Sequence, residues 1–120
     1  IVDDDEDARD IVSRMLVGQG FEIATAENGA VAFSRMNEEF DLVILDLSMP
    51  VMDGFEFLTR LDDLALETNP RIIVYSAMHL DETMRAWLSG SCYEVIDKNE
   101  AAAESALANT VKSALTRKLA

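Results

Sequence analysis

The middle of the chain reads Leu42-Val43-Ile44-Leu45-Asp46-Leu47-Ser48-Met49-Pro50-Val51-Met52-Asp53-Gly54. An aliphatic run bounded by turn-forming residues predicts a strand that is buried on both faces, as in a parallel sheet. Such a strand delivers its last residue to the carboxyl edge of the sheet, where open α/β folds bind their ligands. A carboxylate there is costly unless neighbouring groups compensate its charge, so we predict that Asp46 is a functional residue.

Other apolar segments of the chain also end in polar residues. These residues are Asp3 and Asp4 after Ile1-Val2, Ser76 after Ile72-Ile73-Val74-Tyr75, and Lys98 shortly after Val95-Ile96. Because parallel strands end at a common edge of the sheet, we expect their side chains to lie around Asp46. The sequence therefore predicts a single site built from several strand ends.

Strand-like runs alternate with helical patterns along the whole chain. Short apolar runs predict strands at 1–2, 21–24, 42–45, 72–75 and 92–96, and apolar residues at helical spacing predict helices near 8–16, 28–36, 55–61, 81–88 and 103–115. Five strands and five helices joined by right-handed crossovers predict an α/β fold with a doubly wound, five-stranded parallel sheet. With 120 residues and no linker-like segment, the chain is expected to form one domain, 1–120.

Acidic residues outnumber basic ones by 23 to 10, which gives a formal net charge of −13. This charge argues against direct binding to nucleic acid or to an anionic membrane, because phosphate groups would be repelled, and it favours a divalent cation. No apolar stretch approaches the roughly 20 residues of a membrane span. Cys92 is the only cysteine, which excludes an internal disulfide and favours a cytoplasmic protein. The chain opens inside a predicted strand, so we expect a few residues of that strand to precede Ile1.

Taken together, these motifs resemble the receiver domains of two-component response regulators over essentially the whole length of the chain. The motifs are Val2-Asp3-Asp4, Asp46 with Met49-Pro50 and Asp53-Gly54, Ser76-Ala77, Lys98, and Arg9 after the acidic pair. Each motif alone is a weak signal, but all of them occur in the expected order. The resemblance implies a flavodoxin-like fold with strand order 2-1-3-4-5, flanked by five helices.

The residue types at the predicted site suit phosphoryl transfer to a carboxylate. A carboxylate nucleophile that attacks a phosphoryl group must approach an anion, so the site needs positive charge. Three converging carboxylates can hold Mg²⁺, with Mn²⁺ as an alternative, because a hard cation prefers oxygen ligands. We expect Asp4 and Asp46 to bind the metal directly, and Asp3 to bind it directly or through water. Lys98 would supply a second cation, and the Ser76 hydroxyl a hydrogen bond to a phosphoryl oxygen.

The resemblance also implies further roles and partners. It makes the backbone carbonyl of Ser48 a metal ligand, and it makes Asp46 the acceptor of a phosphoryl group from a sensor histidine kinase or histidine phosphotransfer protein. The phosphorylated domain would change its partners, and one such change is a homodimer through the face of the fourth helix, fifth strand and fifth helix. We expect a signalling domain rather than a turnover enzyme. An aspartyl-phosphate hydrolase needs an acid/base carboxylate two residues after the nucleophile, where Ser48 stands.

The same residues allow other interpretations. A degenerate receiver that acts as a constitutive binding or dimerisation module stays open as an alternative, although the intact acidic pair, Asp46 and Lys98 argue against it. A calcium loop at 3–14 is excluded, because Ala8 and Arg14 stand where that loop needs glycine and glutamate. We interpret Glu6 and Asp7 as a solvated helix start. His79 is interpreted as an exposed and inert loop residue.

Several positions depart from the usual receiver pattern. Asn99, rather than proline, follows Lys98, so we expect a trans peptide there and a loop of altered shape or mobility. Counting back from Lys98 places Val95 at the family's aromatic switch and Ser91-Cys92 at its usual Gly-Ala pair. Val95 has no ring to turn. We therefore predict that phosphorylation is signalled to the surface through Tyr93, on the same strand face as Val95, or through the loop 77–81.

Overall fold

Helices and strands alternate along the chain in the computed structural model, which describes residues 1–64, 66 and 69–119, with side chains as far as residue 116. The elements are α1 (Glu6–Val17), α2 (Gly29–Ser34), β1 (Leu42–Leu45), α3 (Gly54–Asp63), β2 (Arg71–Ser76), α4 (Glu82–Ser89), β3 (Glu94–Asp97) and α5 (Ala103–Leu119). The α/β class and the five predicted helices are confirmed. None of the described helices combines the length and the apolar character that crossing a membrane requires.

The strands form a parallel sheet in the order β1-β2-β3. β2 lies between the other two, in a register that sets Leu45 opposite Val74 and Ser76 opposite Asp97. The carboxyl ends of all three strands therefore lie at one edge of the sheet, as the sequence predicted. This edge is where the polar residues that follow the strands meet.

The first and second predicted strands are not formed as strands in the described part of the chain. Val2 makes single parallel bridges, to Ala26 on one side and to Leu45 on the other. The segment 21–24 has no regular secondary structure; Phe21 and Ile23 pack against the core on the side of α1 and α5, but none of the four residues is fully buried. The described part of the chain thus has a sheet of three strands, and the five-stranded sheet with strand order 2-1-3-4-5 is not confirmed and stays a prediction.

Apolar side chains cover both faces of the sheet. On one face Val74 packs in the cluster that contains Phe57 of α3 and Leu88 of α4. On the other face Ile73 packs in the cluster that contains Leu107 of α5. All five side chains are fully buried, and burial of one such side chain stabilises the fold by about 1.5–3 kcal/mol. This burial on both faces fixes the strand ends that carry the polar residues.

Tyr93 and Val95 pack against different faces of the sheet, so the prediction that they share a face is wrong. Val95 packs against the cluster on the α3 and α4 side, and Tyr93 against the cluster on the α1 and α5 side. The guanidinium of Arg71 lies 5.1 Å from the centroid of the Tyr93 ring, a cation–π distance. Regular alternation of side chains holds only within a strand, and β3 begins at Glu94, one residue after Tyr93.

Polar side chains cap the first turns of four helices. Asp5, Asn28, Asp53 and Asp81 each accept a hydrogen bond from a backbone N–H of the helix that follows. Asp53 of the Asp-Gly motif is therefore the N-cap of α3. That helix begins directly after the loop that follows β1.

Candidate functional site

The polar residues predicted from the sequence meet at the carboxyl edge of the sheet. Asp46 directly follows β1, Ser76 is the last residue of β2, and Lys98 directly follows β3. Asp3 and Asp4 follow the bridged residue at the start of the chain. Carboxylate oxygens of Asp3, Asp4 and Asp46 lie within 4.8 Å of one another. The structure therefore brings together the five side chains that the strand-end pattern selected.

Asp46 is buried at the centre of this group, with 8% of its surface exposed. Its Oδ1 accepts a 2.7 Å hydrogen bond from the Ser76 hydroxyl and a 3.4 Å hydrogen bond from the backbone N–H of Ser48. Burial raises the pKa of Asp46 above its usual value. The Ser76 hydrogen bond and the Lys98 charge oppose this rise in pKa, and the Asp3 carboxylate adds to it. A carboxylate whose charged form is disfavoured in this way is stabilised by any added cation.

Lys98 supplies the positive charge of the site. Its Nζ lies 2.5 Å from Oδ2 of Asp3 and 3.8 Å from Oδ2 of Asp46. The same ammonium lies 5.4 Å from the centroid of the Tyr75 ring, which sequence reasoning had not placed at the site. The three carboxylates and the one ammonium together carry a net charge of −2 when all four of these groups are ionised.

Hydrogen bonds fix both the backbone and the side chain of Asp3. Its Oδ1 accepts from the backbone N–H of Asp5 at 2.9 Å, and its carbonyl accepts from Nη1 of Arg9 at 2.8 Å. Asp4 differs, because its side chain is exposed. The Asp4 carboxylate therefore offers a ligand on the solvent side of an otherwise buried group of carboxylates.

The donor set fits a hard divalent cation. The three carboxylates provide oxygen ligands, which Mg²⁺ prefers, and a divalent cation would offset the net negative charge of the group. In the described ranges of the chain, no second group of three acidic, histidine or cysteine side chains reaches this spacing. Asp3, Asp4 and Asp46 thus form a cation-binding arrangement at the carboxyl edge of the sheet.

Ser48 and His79 lie outside the cluster of carboxylates. Ser48 is exposed on the loop after β1 and contacts Asp46 through its N–H. Its carbonyl as a metal ligand remains an expectation from the resemblance. His79 is exposed on the loop before α4, as predicted, and lines a surface cavity of about 270 Å³ that also reaches Ser76.

A comparison with known protein families shows what this arrangement belongs to. The family model of the response regulator receiver domain matches residues 1–111. The chain belongs to the response regulator receiver family. The family that the motifs predicted is therefore confirmed, and receiver domains are signalling domains rather than classical enzymes.

The receiver is similar to several curated bacterial proteins. It is 42% identical over 80 residues to the chemotaxis protein CheY of Bacillus subtilis, with 65% of each chain covered. It is 34% identical over 119 residues to the transcriptional regulatory protein PrrA of Mycobacterium tuberculosis, with 98% of this chain and 49% of PrrA covered. The chain therefore spans about half of the length of PrrA, a longer regulatory protein.

Solved structures share the fold of the receiver. The receiver domain of the Francisella response regulator 1452 matches with a TM-score of 0.84 at 22% identity, over 98% of this chain and 94% of that one. The response regulator TrrA of Thermotoga maritima, solved in complex with Mg²⁺ and BeF, matches with a TM-score of 0.76 at 31% identity, over 94% of both chains. The receiver thus has the flavodoxin-like fold that the resemblance implied.

Two features of the loop after Asp46 were not predicted. A Cβ at Gly54 would lie 2.7 Å from the carbonyl oxygen of Asp46, so a side chain there would push α3 away from the site. Val51 has a φ of 68° and is 81% exposed, and the N–H of Met52 donates to the carbonyl of Pro50 at 2.7 Å. This is a γ-turn of the rare, strained kind, centred on a β-branched residue. The Asp-Gly pair was a usable signal for the first feature, and the sequence offers none for the second.

The departure at Asn99 has a defined structural consequence. The described peptide bonds are all trans, which confirms the expectation for the bond between Lys98 and Asn99. The backbone N–H of Lys98 donates to the carbonyl of Ser76 at 3.0 Å, and the side-chain amide of Asn99 donates to the carbonyl of Ala77, also at 3.0 Å. These bonds tie the Lys98 loop to the loop after β2 and argue against increased mobility.

Proposed function

We propose that residues 1–120 form a phosphoacceptor receiver in which Asp46 accepts a phosphoryl group from the phosphohistidine of a sensor histidine kinase or a histidine phosphotransfer protein. The observation that carries the proposal is the convergence of compensating groups on one buried carboxylate. Ser76 donates to Asp46, and the ammonium of Lys98 lies 3.8 Å from it. A constitutive binding module has no need of this arrangement, so the convergence favours the phosphoacceptor over the degenerate receiver.

The proposed transfer is a displacement at phosphorus. A carboxylate oxygen of Asp46 forms a bond to phosphorus while the P–N bond to the donor histidine breaks, and the electron pair of that bond stays on the ring nitrogen. With a proton on its other ring nitrogen, the histidine leaves as neutral imidazole. The product is an acyl phosphate on Asp46, and no further reactant is consumed.

The charges and donors of the site act on the phosphoryl oxygens. Lys98 is close enough to Asp46 to pair with an oxygen of a phosphoryl group attached there. The Ser76 hydroxyl, which donates to Asp46 in the free protein, would turn its hydrogen towards the phosphoryl group. Asp3, Asp4 and Asp46, with the carbonyl of Ser48, would hold Mg²⁺ or Mn²⁺. A divalent cation bound there supplies charge that offsets the repulsion between the carboxylate and the incoming phosphoryl group.

We propose that the conformational change caused by phosphorylation passes from the site to the surface through the loop 77–81. Ser76 joins the site to this loop, because its Oγ accepts a 3.3 Å hydrogen bond from the backbone N–H of Met78. Tyr93 is the weaker candidate, since it packs on the face opposite Val95 and against the guanidinium of Arg71. A changed partner preference, including homodimerisation through α4, β3 and α5, would follow from movement of that loop.

Chemical trapping tests the assignment of the acceptor. The protein is treated with phosphoramidate, a small P–N phosphodonor, in the presence of Mg²⁺, and is then reduced with borohydride, which converts an acyl phosphate to an alcohol. Peptide mapping should find the reduced residue at Asp46, and no reduced residue when Mg²⁺ is chelated. The exposed Asp10 of α1 serves as the control, because Asp10→Asn should leave the trapped product unchanged. A reduced residue at another position would refute the assignment.

A further inference from the structure

The Ala77–Met78 peptide unit is held at both of its ends. Its carbonyl oxygen, on Ala77, accepts a hydrogen bond of 3.0 Å from Nδ2 of Asn99. Its N–H, on Met78, donates to Oγ of Ser76 at 3.3 Å. The Ser76 hydroxyl in turn donates to Oδ1 of Asp46 at 2.7 Å. A continuous chain of hydrogen bonds therefore runs from Asn99 to the phosphoacceptor.

Asn99 is itself fixed on the loop after β3. Its backbone N–H donates to a carboxylate oxygen of Asp97 at 2.8 Å, and Asp97 lies opposite Ser76 in the sheet. The preceding N–H, on Lys98, donates to the Ser76 carbonyl. The register of the sheet therefore fixes the backbone of Asn99, and this backbone places the side-chain amide next to the carbonyl of Ala77.

We propose that Asn99 is a positioning residue that orients the Ser76 hydroxyl through the Ala77–Met78 peptide. A serine hydroxyl rotates freely, so the direction of its hydrogen is set by the donor that occupies its lone pairs. With the N–H of Met78 on one lone pair, the hydrogen of Ser76 is directed to Asp46. The hydrogen bond from Asn99 holds the Ala77–Met78 peptide plane in the orientation in which the Met78 N–H points at Oγ of Ser76. Hydrogen bonds linked in series also polarise one another, which strengthens each of them.

This inference rests on the proposed function and extends it to a residue outside the group that touches Asp46. Asn99 is exposed, and its described hydrogen bonds go to Asp97 and Ala77 rather than to Asp3, Asp4 or Asp46. Its effect must therefore pass through Ser76. A residue that merely stabilised the Lys98 loop would act whether or not the Ser76 hydroxyl were present.

A double-mutant cycle separates these two routes. The first-order rate constant for phosphorylation at saturating acetyl phosphate and Mg²⁺ is measured for Asn99→Ala, Ser76→Ala and the double variant. Asn99→Ala should lower the rate constant about three- to tenfold in the wild-type background, the equivalent of one neutral hydrogen bond. In the Ser76→Ala background it should have no further effect. Asn99→Asp, whose carboxylate cannot donate to Ala77, should repeat the loss.

Asn109 provides the matched control, since it is an exposed asparagine on α5. Asn109→Ala and Asn109→Asp should leave the rate constant unchanged. The inference is overturned if Asn99→Ala has no effect, or if it slows phosphorylation equally with and without the Ser76 hydroxyl.

Amide hydrogen exchange keeps the test independent of phosphorylation. Asn99→Ala should increase exchange at the N–H of Met78, whereas Asn109→Ala should not. If the wild-type protein takes up no phosphoryl group, the proposed function fails and this comparison still decides the role of Asn99. Unchanged exchange at Met78 in Asn99→Ala would overturn the inference by itself.

Discussion

Lys98 and Asp3, 95 positions apart in the chain, form an ion pair with 2.5 Å between Nζ and Oδ2. The same ammonium lies farther from Asp46, at 3.8 Å. In the free protein, therefore, Lys98 mainly compensates the buried Asp3, and the carboxylate of Asp46 depends more on the Ser76 hydroxyl. A divalent cation bound to Asp3 would weaken the ion pair between Asp3 and Lys98, so that the ammonium could bind a phosphoryl oxygen instead.

Millimolar Mg²⁺ should stabilise the folded protein, because the converging carboxylates exist as a site only in the native state. At ten times the dissociation constant the free energy of unfolding should rise by about 1.4 kcal/mol. For a chain of this size that is a rise in melting temperature of roughly 5 °C. Differential scanning fluorimetry with and without Mg²⁺ provides the measurement.

The variant Asp4→Asn should abolish this stabilisation, because it removes the exposed ligand of the group. Asp10→Asn, which removes an exposed carboxylate of α1 away from the site, should respond to Mg²⁺ as the wild type does. A melting temperature of the wild-type protein that is indifferent to Mg²⁺ would count against the cation site.

Asp46→Asn should raise the free energy of unfolding of the metal-free protein at neutral pH. Burial raises the pKa of Asp46 in the folded state, so the carboxyl group contributes stability that is lost as the pH rises through that pKa. Asparagine keeps an oxygen acceptor for Ser76 and carries no charge. The advantage of the variant should shrink on acidification and disappear below the unfolded pKa of about 3.9. Urea denaturation from neutral pH down to about pH 3.9 measures the difference in free energy of unfolding between the variant and the wild type. A difference that does not change with pH would contradict the explanation.

Val51→Gly should stabilise the fold. A β-branched residue at φ 68° is strained by roughly 1–3 kcal/mol, and glycine removes that strain at the cost of more freedom in the unfolded chain. The net gain should be about 1 kcal/mol, since the Val51 side chain is 81% exposed and contributes little packing. Val51→Ala, which keeps a Cβ, should gain less. Chemical denaturation measures the free energy of unfolding of both variants. Equal values for Val51→Gly and Val51→Ala would mean that the turn is not strained.

The thiol of Cys92 should react slowly with iodoacetamide in the native protein. Its Sγ donates to the carbonyl of Leu88 at 3.0 Å, and burial raises the pKa of the thiol to about 11. At neutral pH the rate of alkylation should be about 100-fold below that of a free cysteine, and it should rise about tenfold per pH unit. Because Cys92 is the only cysteine, intact mass reports it without ambiguity. Urea-unfolded protein is the control, and native labelling at the unfolded rate would show that the thiol is open to solvent.

The composition of the site could be predicted from the sequence because strand ends are local signals. Asp46, Ser76 and Lys98 each come at the end of an apolar run, and the parallel register then places them at one edge of the sheet. The pattern specified which residues meet. It carried no information on which hydrogen bonds they form, such as the preference of Lys98 for Asp3.

The predicted fold and the structure differ where the local pattern does not determine pairing. The segment 21–24 is apolar in part, but its side chains stay partly exposed and it forms no ladder. Tyr93 stands one residue before β3, where strand alternation no longer applies, and Arg71 contacts its ring on the other face. The contact of Asn99 with Ala77 joins residues 22 positions apart. Nothing in the sequence near either residue signals that contact.

Intact mass spectrometry after treatment with acetyl phosphate tests the central claim most directly. The wild-type protein with Mg²⁺ should gain the mass of one phosphoryl group, and the adduct should be lost in hydroxylamine, as expected for an acyl phosphate. Asp46→Asn should gain none, and Asp10→Asn should gain one as the wild type does. Full phosphorylation of Asp46→Asn, or no adduct on the wild-type protein at saturating donor and Mg²⁺, would contradict the assignment of Asp46 as the phosphoacceptor.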